Sequence, residues 1–164
     1  MTPPIPWLRF FVVIALCTTT LSTSLQAQEW SSDELDLFAH VRHCWDGYGV
    51  RSWDDQVREC GLDDSLQYWW TEEDEPRGID WMRDAVENEW PQIEVLAQDF
   101  DPVRVTGEGS SRFLFYRGSR TIRSGGGDIE SVAWLGMEVW RRTGSGWTYF
   151  GGRGTPVPIN SPPP

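Results

Sequence analysis

The stretch "SVAWLGMEVWRRTGSGWTYFGG", residues 131–152, sets two aromatic-rich apolar runs on either side of "RRTGSG". Glycines between two alternating runs are the chemistry of a β-hairpin loop. Period-two alternation places Val132, Trp134, Gly136, Glu138 and Trp140 on one face of the first strand. Ala133, Leu135, Met137 and Val139 fall on the other face. This second set is uniformly apolar, which predicts that it is the wall packed on the core. Glu138 then faces outward, in a cross-strand pair with Arg112 or Arg153 on an open or dimer-forming sheet face. The competing reading of the same residues is a carboxyl among indoles in a functional pocket.

Upstream of the hairpin the pattern stays at period two. "IEVLAQDF", "PVRVTGEG" and "SRFLFYRG" read as short strands separated by turns. Asp99 and Asp101, straddling Phe100 before Pro102, read as turn residues with local hydrogen bonds. "IRSGGGD" at 122–128 is a mobile loop of an antiparallel sheet. It does not follow a strand and open a helix, so it is no phosphate-binding loop.

Before residue 92 the period is helical. "SSDELDLFAHVRHCWDGYG" begins with a Ser/Asp cap at 31–33 and ends at Gly47 or Gly49. Leu37, Phe38, Val41, Cys44, Trp45 and Tyr48 project onto one side, and His40 and His43 fall on the opposite, solvated side. "SWDDQVREC" is a short helix capped by Ser52 and stopped by Gly61. "SLQYWW" is strand-like, "TEEDEPRG" is an acidic loop, and "GIDWMRDAVENEW" is a third amphipathic helix. Helices followed by a run of strands predict an α+β fold: a strongly curved, mainly antiparallel sheet packed on three N-terminal helices.

Residues 1–27 have the form of a secretory signal peptide, with Arg9, the apolar run "FFVVIALCTTTL" and a small residue at Ala27. The apolar run is short for a bilayer span. The expected location is therefore periplasmic or secreted, with no membrane association after signal removal. Residues 28–155 form the domain, and 156–164 are a proline-rich tail expected to be disordered. The 164-residue chain has 25 acids, 14 arginines and no lysine, for a net charge of −11. Such a surface repels phosphate backbones and disfavours nucleic-acid binding.

Export leaves Cys44 and Cys60 in a disulfide-permissive compartment, where they are either bonded or two buried thiols. Neither a CxxC motif nor Cys/His zinc spacing occurs, so no metal and no cofactor are expected.

Three groups of segments resemble the nuclear transport factor 2-like fold, and within it the SnoaL-like and domain-of-unknown-function 4440 group. They are "LFAHVRHCWDGYGVRSWDDQVREC", "WW…PRGIDWMRDAV", and "FDPVRVTGEGSSRFLFY" followed by "MEVWRRTGSGWTYFGG". The likeness spans about residues 33–155. It implies a cone-shaped domain, often a homodimer, with a cavity between the helices and the concave sheet. Met137 and Thr143 stand where that group commonly has acidic residues, so no catalytic residue transfers by motif.

Fold alone leaves the function open. In the ketosteroid isomerase branch the resemblance implies carboxyls in an apolar cone, whose desolvation raises their pKa, with tyrosine donors beside them. Glu138 is the candidate catalytic carboxyl, with Tyr68 or Tyr116 as donors. Trp45, Tyr68, Trp70, Tyr116 and Trp134 are the candidate ligand-binding residues, for an apolar or aromatic small molecule. If the chain is an enzyme, proton transfer of isomerase, dehydratase or cyclase type is the class expected. The alternative is a non-catalytic interaction module acting as a homodimer or on a protein partner, its Val132, Trp134, Glu138 and Trp140 face covered by another chain.

Overall fold

The computed structural model describes residues 29–70, 75–144 and 146–159. The signal-peptide expectation for 1–27 lies outside them. Helix α1 (Ser32–Asp46) starts where Ser31 and Glu34 form a reciprocal capping box, and it ends at Gly47. Helix α2 (Trp53–Cys60) is capped by Ser52 and stops at Gly61, whose left-handed φ of 60° favours glycine. Helix α3 (Ile79–Asp84) runs into a π-helical turn at Ala85–Glu89 and a 3-10 turn at Trp90–Gln92.

The strands are β1 (Leu62–Trp70), β2 (Ile93–Thr106), β3 (Ser111–Ser124), β4 (Ile129–Thr143) and β5 (Gly146–Val157). They form one open sheet in the order β1-β5-β4-β3-β2. β1 is parallel to β5, and all other pairs are antiparallel. Register shifts interrupt the β1–β5, β2–β3 and β4–β5 ladders. Such bulges bend strands, and the bent sheet closes over the helices as the α+β cone expected from the sequence.

The stretch predicted as two strands around Asp99 and Asp101 is the single strand β2. Pro102 is accommodated because β2 is an edge strand, where a missing N–H breaks no inner ladder. Asp101 pairs with Arg117 across to β3 at 3.3 Å. β5 runs through Pro156 and Val157, two residues into the stretch assigned to the tail.

The main correction concerns the face of β4. Trp134, Glu138 and Trp140 are buried on the concave side, while Leu135 on the opposite face is 43 % exposed. The indoles fill the cone because they match the large aromatic side chains of the helices. Trp45 of α1 lies 5.4 Å from Trp134 and 5.2 Å from Tyr116, ring centre to ring centre. Leu37, Phe38, Val41, Leu66, Met82, Val86 and Leu114 complete the core.

His40 is also corrected. The hairpin end of β4 and β5 wraps α1, with Arg142 and Trp147 both bonding Asp36. That covers a second side of the helix, and His40 is half-buried there, edge-on to Trp140 at 5.3 Å. Burial holds its imidazole below the usual histidine range.

Candidate functional site

Inside the cone is a cavity of about 190 Å³. α1 contributes Cys44 and Trp45, with Tyr48 just beyond its end; α2 contributes Gln56 and Cys60. Tyr68 of β1 and Trp81 of α3 close one side, and Tyr116, Arg120, Trp134, Glu138, Trp140 and Tyr149 line the sheet side.

Glycines opposite aromatic residues on neighbouring strands create the space. Tyr116 pairs with Gly136, and Gly118 pairs with Trp134. A Cβ at Gly136 would overlap the Tyr116 ring, and one at Gly118 would overlap the Trp134 indole. Each ring lies flat across its glycine, so polar edges reach the cavity instead of crowding out of the sheet.

Glu138 sits at the centre of this arrangement and is 5 % exposed. Tyr116 Oη donates to its Oε1 at 2.8 Å, and Trp140 Nε1 donates to its Oε2 at 2.9 Å. Trp134 Nε1 in turn donates to Tyr116 Oη at 3.4 Å. Burial pushes the Glu138 carboxyl up from 4.5 to about 7, against the pull of those two donors on its oxygens. Burial and the Glu138 charge raise Tyr116 and Tyr149 well above the usual tyrosine range, so both stay protonated. A carboxyl near neutrality in a largely apolar cavity can give or take a proton at physiological pH.

Arg120 is the cavity's cation. Its Nε donates to Gln98 Oε1 at 2.8 Å, and its guanidinium lies 3.8 Å from the Tyr48 ring centre. It is 5.8 Å from the ring centres of both Trp45 and Trp134. Burial lowers its pKa, but guanidinium remains charged in proteins.

Of the residues singled out from the sequence, Glu138, Trp45, Tyr68, Tyr116 and Trp134 meet around this cavity. Trp70 stands behind it, edge-on to Trp134 at 6.4 Å. The proposed arginine partners of Glu138 go elsewhere. Arg112 binds Asp33 at 2.8 Å, and Arg153 lies opposite Met137 on the outer face. Cys44 and Cys60 are buried free thiols instead of a disulfide. Cys60 and burial together push the Cys44 thiol up, so no thiolate nucleophile forms there.

Sequence reading missed Arg120, Gln56, Tyr48 and Tyr149. Arg120 was within reach, because it shares the alternation of Leu114, Tyr116 and Gly118, the concave face of β3. Gly136 carried the overlooked signal: a glycine between Trp134 and Glu138 at two-residue spacing marks a face where a ring must lie close. Among the described residues, no cluster of three or more His, Cys, Asp or Glu side chains is placed to hold a metal ion.

No family model and no curated protein matches the chain. Solved structures do. A nuclear transport factor 2-like protein from Cytophaga hutchinsonii aligns with a TM-score of 0.60 at 11% identity, covering 78% of this chain and all of the other. A ketosteroid isomerase-like protein from Erwinia carotovora atroseptica aligns at 0.59 and 9% identity, covering 79% and 99%. The calmodulin-dependent kinase II hub homology domain of Chlamydomonas reinhardtii aligns at 0.62 and 16% identity, covering 77% and 100%. The chain has the nuclear transport factor 2-like fold.

Proposed function

We propose that this domain is exported and binds a small apolar or aromatic molecule in the cone, with Glu138 moving a proton to or from it. The leader-like residues 1–27 support export to the periplasm or outside the cell. The observation that carries the functional reading is the Glu138 carboxyl, buried in the cavity and hydrogen-bonded by Tyr116 and Trp140, where burial pushes its pKa up to about 7. As carboxylate it removes a proton from an acidic C–H or O–H; as carboxylic acid it returns one, the exchange that isomerases, dehydratases and cyclases share. Tyr116 and Trp140 hold the carboxyl in one orientation, and Trp134 holds Tyr116. The ketosteroid isomerase-like neighbour is consistent with this class.

The test needs no knowledge of the natural ligand. 5-Nitrobenzisoxazole opens in one step when a base removes its C3 proton as the N–O bond breaks, releasing a coloured phenolate. The domain should accelerate this reaction with a pH midpoint near 7, and Glu138→Gln should abolish the acceleration while leaving the fold intact. Equal rates for the two proteins would remove Glu138 from the mechanism.

A second reading concerns assembly. On the convex sheet face Phe113 and Leu135 are 40 % and 43 % exposed, with Phe115, Met137 and Val139 beside them. A contiguous apolar patch of this kind marks an interaction surface, and a homodimer through it fits the hub-type neighbour. Sedimentation of the wild type should give a dimer that Leu135→Glu converts to a monomer. A wild-type monomer at tens of micromolar would contradict it.

A further inference from the structure

Arg120 differs from the arginines around it. Arg112, Arg117, Arg123 and Arg142 each reach a carboxylate, Asp33, Asp101, Glu94 and Asp36 respectively. Arg120 lines the cavity, yet among the described residues its hydrogen-bond acceptors are neutral, the Gln98 amide and the Tyr48 hydroxyl, and no carboxylate pairs with it. A desolvated cation without a counter-ion is costly unless an anion joins it. The aromatic rings of Tyr48, Trp45 and Trp134 around it offset only part of that cost.

A second, independent polar group is left open in the same cavity. Gln56 is 6 % exposed, and its side-chain oxygen has no hydrogen-bond partner. A buried acceptor without a donor is uncommon in native structures and calls for an explanation. The size of the space sets the third constraint. An apolar cavity of about 150 Å³ admits benzene, so about 190 Å³ admits one substituted ring and little more.

From these we infer that the cavity takes a small aromatic acid, its carboxylate at Arg120, its ring among Trp45 and Trp134, and a hydroxyl or amino donor at Gln56. The inference rests on the cavity reading above and specifies its ligand. Glu138 stands at the other end of a contact chain, because Arg120 lies against Trp134, Trp134 bonds Tyr116, and Tyr116 bonds Glu138. An acid anchored at Arg120 thus presents its far end toward the proton-transfer group. The carboxylate anchors the ligand but takes no part in the transfer.

The experiment compares three matched probes by quenching of tryptophan fluorescence and by calorimetry. They are 4-hydroxyphenylacetate, its neutral amide, and phenylacetate. The acid should bind the wild type about tenfold or more tightly than the amide, as a charge-assisted contact implies. Arg120→Met should erase that preference while the amide still binds. Gln56→Leu should erase the preference for 4-hydroxyphenylacetate over phenylacetate. Should Arg120→Met fail to fold, Arg120→Gln is compared in its place.

Equal binding of acid and amide to the wild type overturns the inference and leaves the cavity reading standing. An acid preference that survives loss of Arg120 also overturns it. If none of the probes binds, the inference falls, and Glu138-dependent opening of 5-nitrobenzisoxazole decides whether the cavity reading falls with it.

Discussion

Replacing Glu138 by glutamine should make the protein more stable at neutral pH and less stable in acid. Glu138 is buried, and burial pushes its carboxyl up from 4.5 to about 7 on folding. A group whose folded pKa is raised binds its proton more tightly in the folded chain. Its cost is therefore absent below about pH 4.5, grows between 4.5 and 7, and is complete above 7. At about 1.4 kcal/mol per pH unit, the ionised form is disfavoured by about 3 kcal/mol. Glutamine keeps the shape without the charge. Its oxygen can accept from Trp140, but its NH2 must face Tyr116, whose hydroxyl has to turn from donor to acceptor. Such a hydrogen-bond rearrangement costs about 1 kcal/mol at any pH.

Glu138→Gln should therefore be about 1 kcal/mol less stable than wild type in acid and about 2 kcal/mol more stable at about pH 8. Urea unfolding followed by tryptophan fluorescence measures this as a midpoint that moves by about 2 M relative to wild type across the range. His40 also titrates, with its pKa lowered on folding, but it is common to both proteins and cancels in the difference. A stability difference that stays constant from about pH 5 to pH 8 would refute the reasoning, because an ionisable carboxyl in an apolar cavity cannot be pH-neutral.

Tyr116→Phe removes a donor to the Glu138 carboxylate and leaves the Trp134 N–H unpaired. It should cost about 1–2 kcal/mol in urea unfolding and move the pH midpoint of 5-nitrobenzisoxazole opening to higher pH. An unmoved midpoint would deny Tyr116 that role. Gly136→Ala drives a methyl into the Tyr116 ring and should cost about 1–3 kcal/mol by the same measurement, whereas Gly144→Ala, in open space at the hairpin, should cost less than half as much. In a chain beginning at residue 28, Cys44 and Cys60 should label slowly with a thiol reagent when native and as two thiols in urea. No labelling in urea would mean that they are bonded.

The elements were largely legible in the sequence because local chemistry sets them. Ser31, Ser52 and Gly61 mark helix ends through backbone groups only a few residues away. The order of helices and strands, with the closing hairpin, was enough for the cone. The face of β4 was misread because alternation separates the two faces of a strand without saying which is inside. Leu135, Met137 and Val139 are apolar enough for a core, yet the interior of this cone is built for indole and phenol rings. Only the partners at the end of α1, Trp45 and, just beyond it, Tyr48, decide that, and they are some ninety residues away in the chain. Arg120 and Gln56 escaped for the same reason. A lone arginine on a strand looks solvated until the helix that covers it is in place.

The most direct test of the account is a 13C titration of the glutamate side-chain carboxyls by NMR. One resonance should titrate with a midpoint near 7, and it should be missing in Glu138→Gln. If every glutamate titrates near the ordinary value of about 4.3, Glu138 is not the buried acid described above, and the proton-transfer function fails with it.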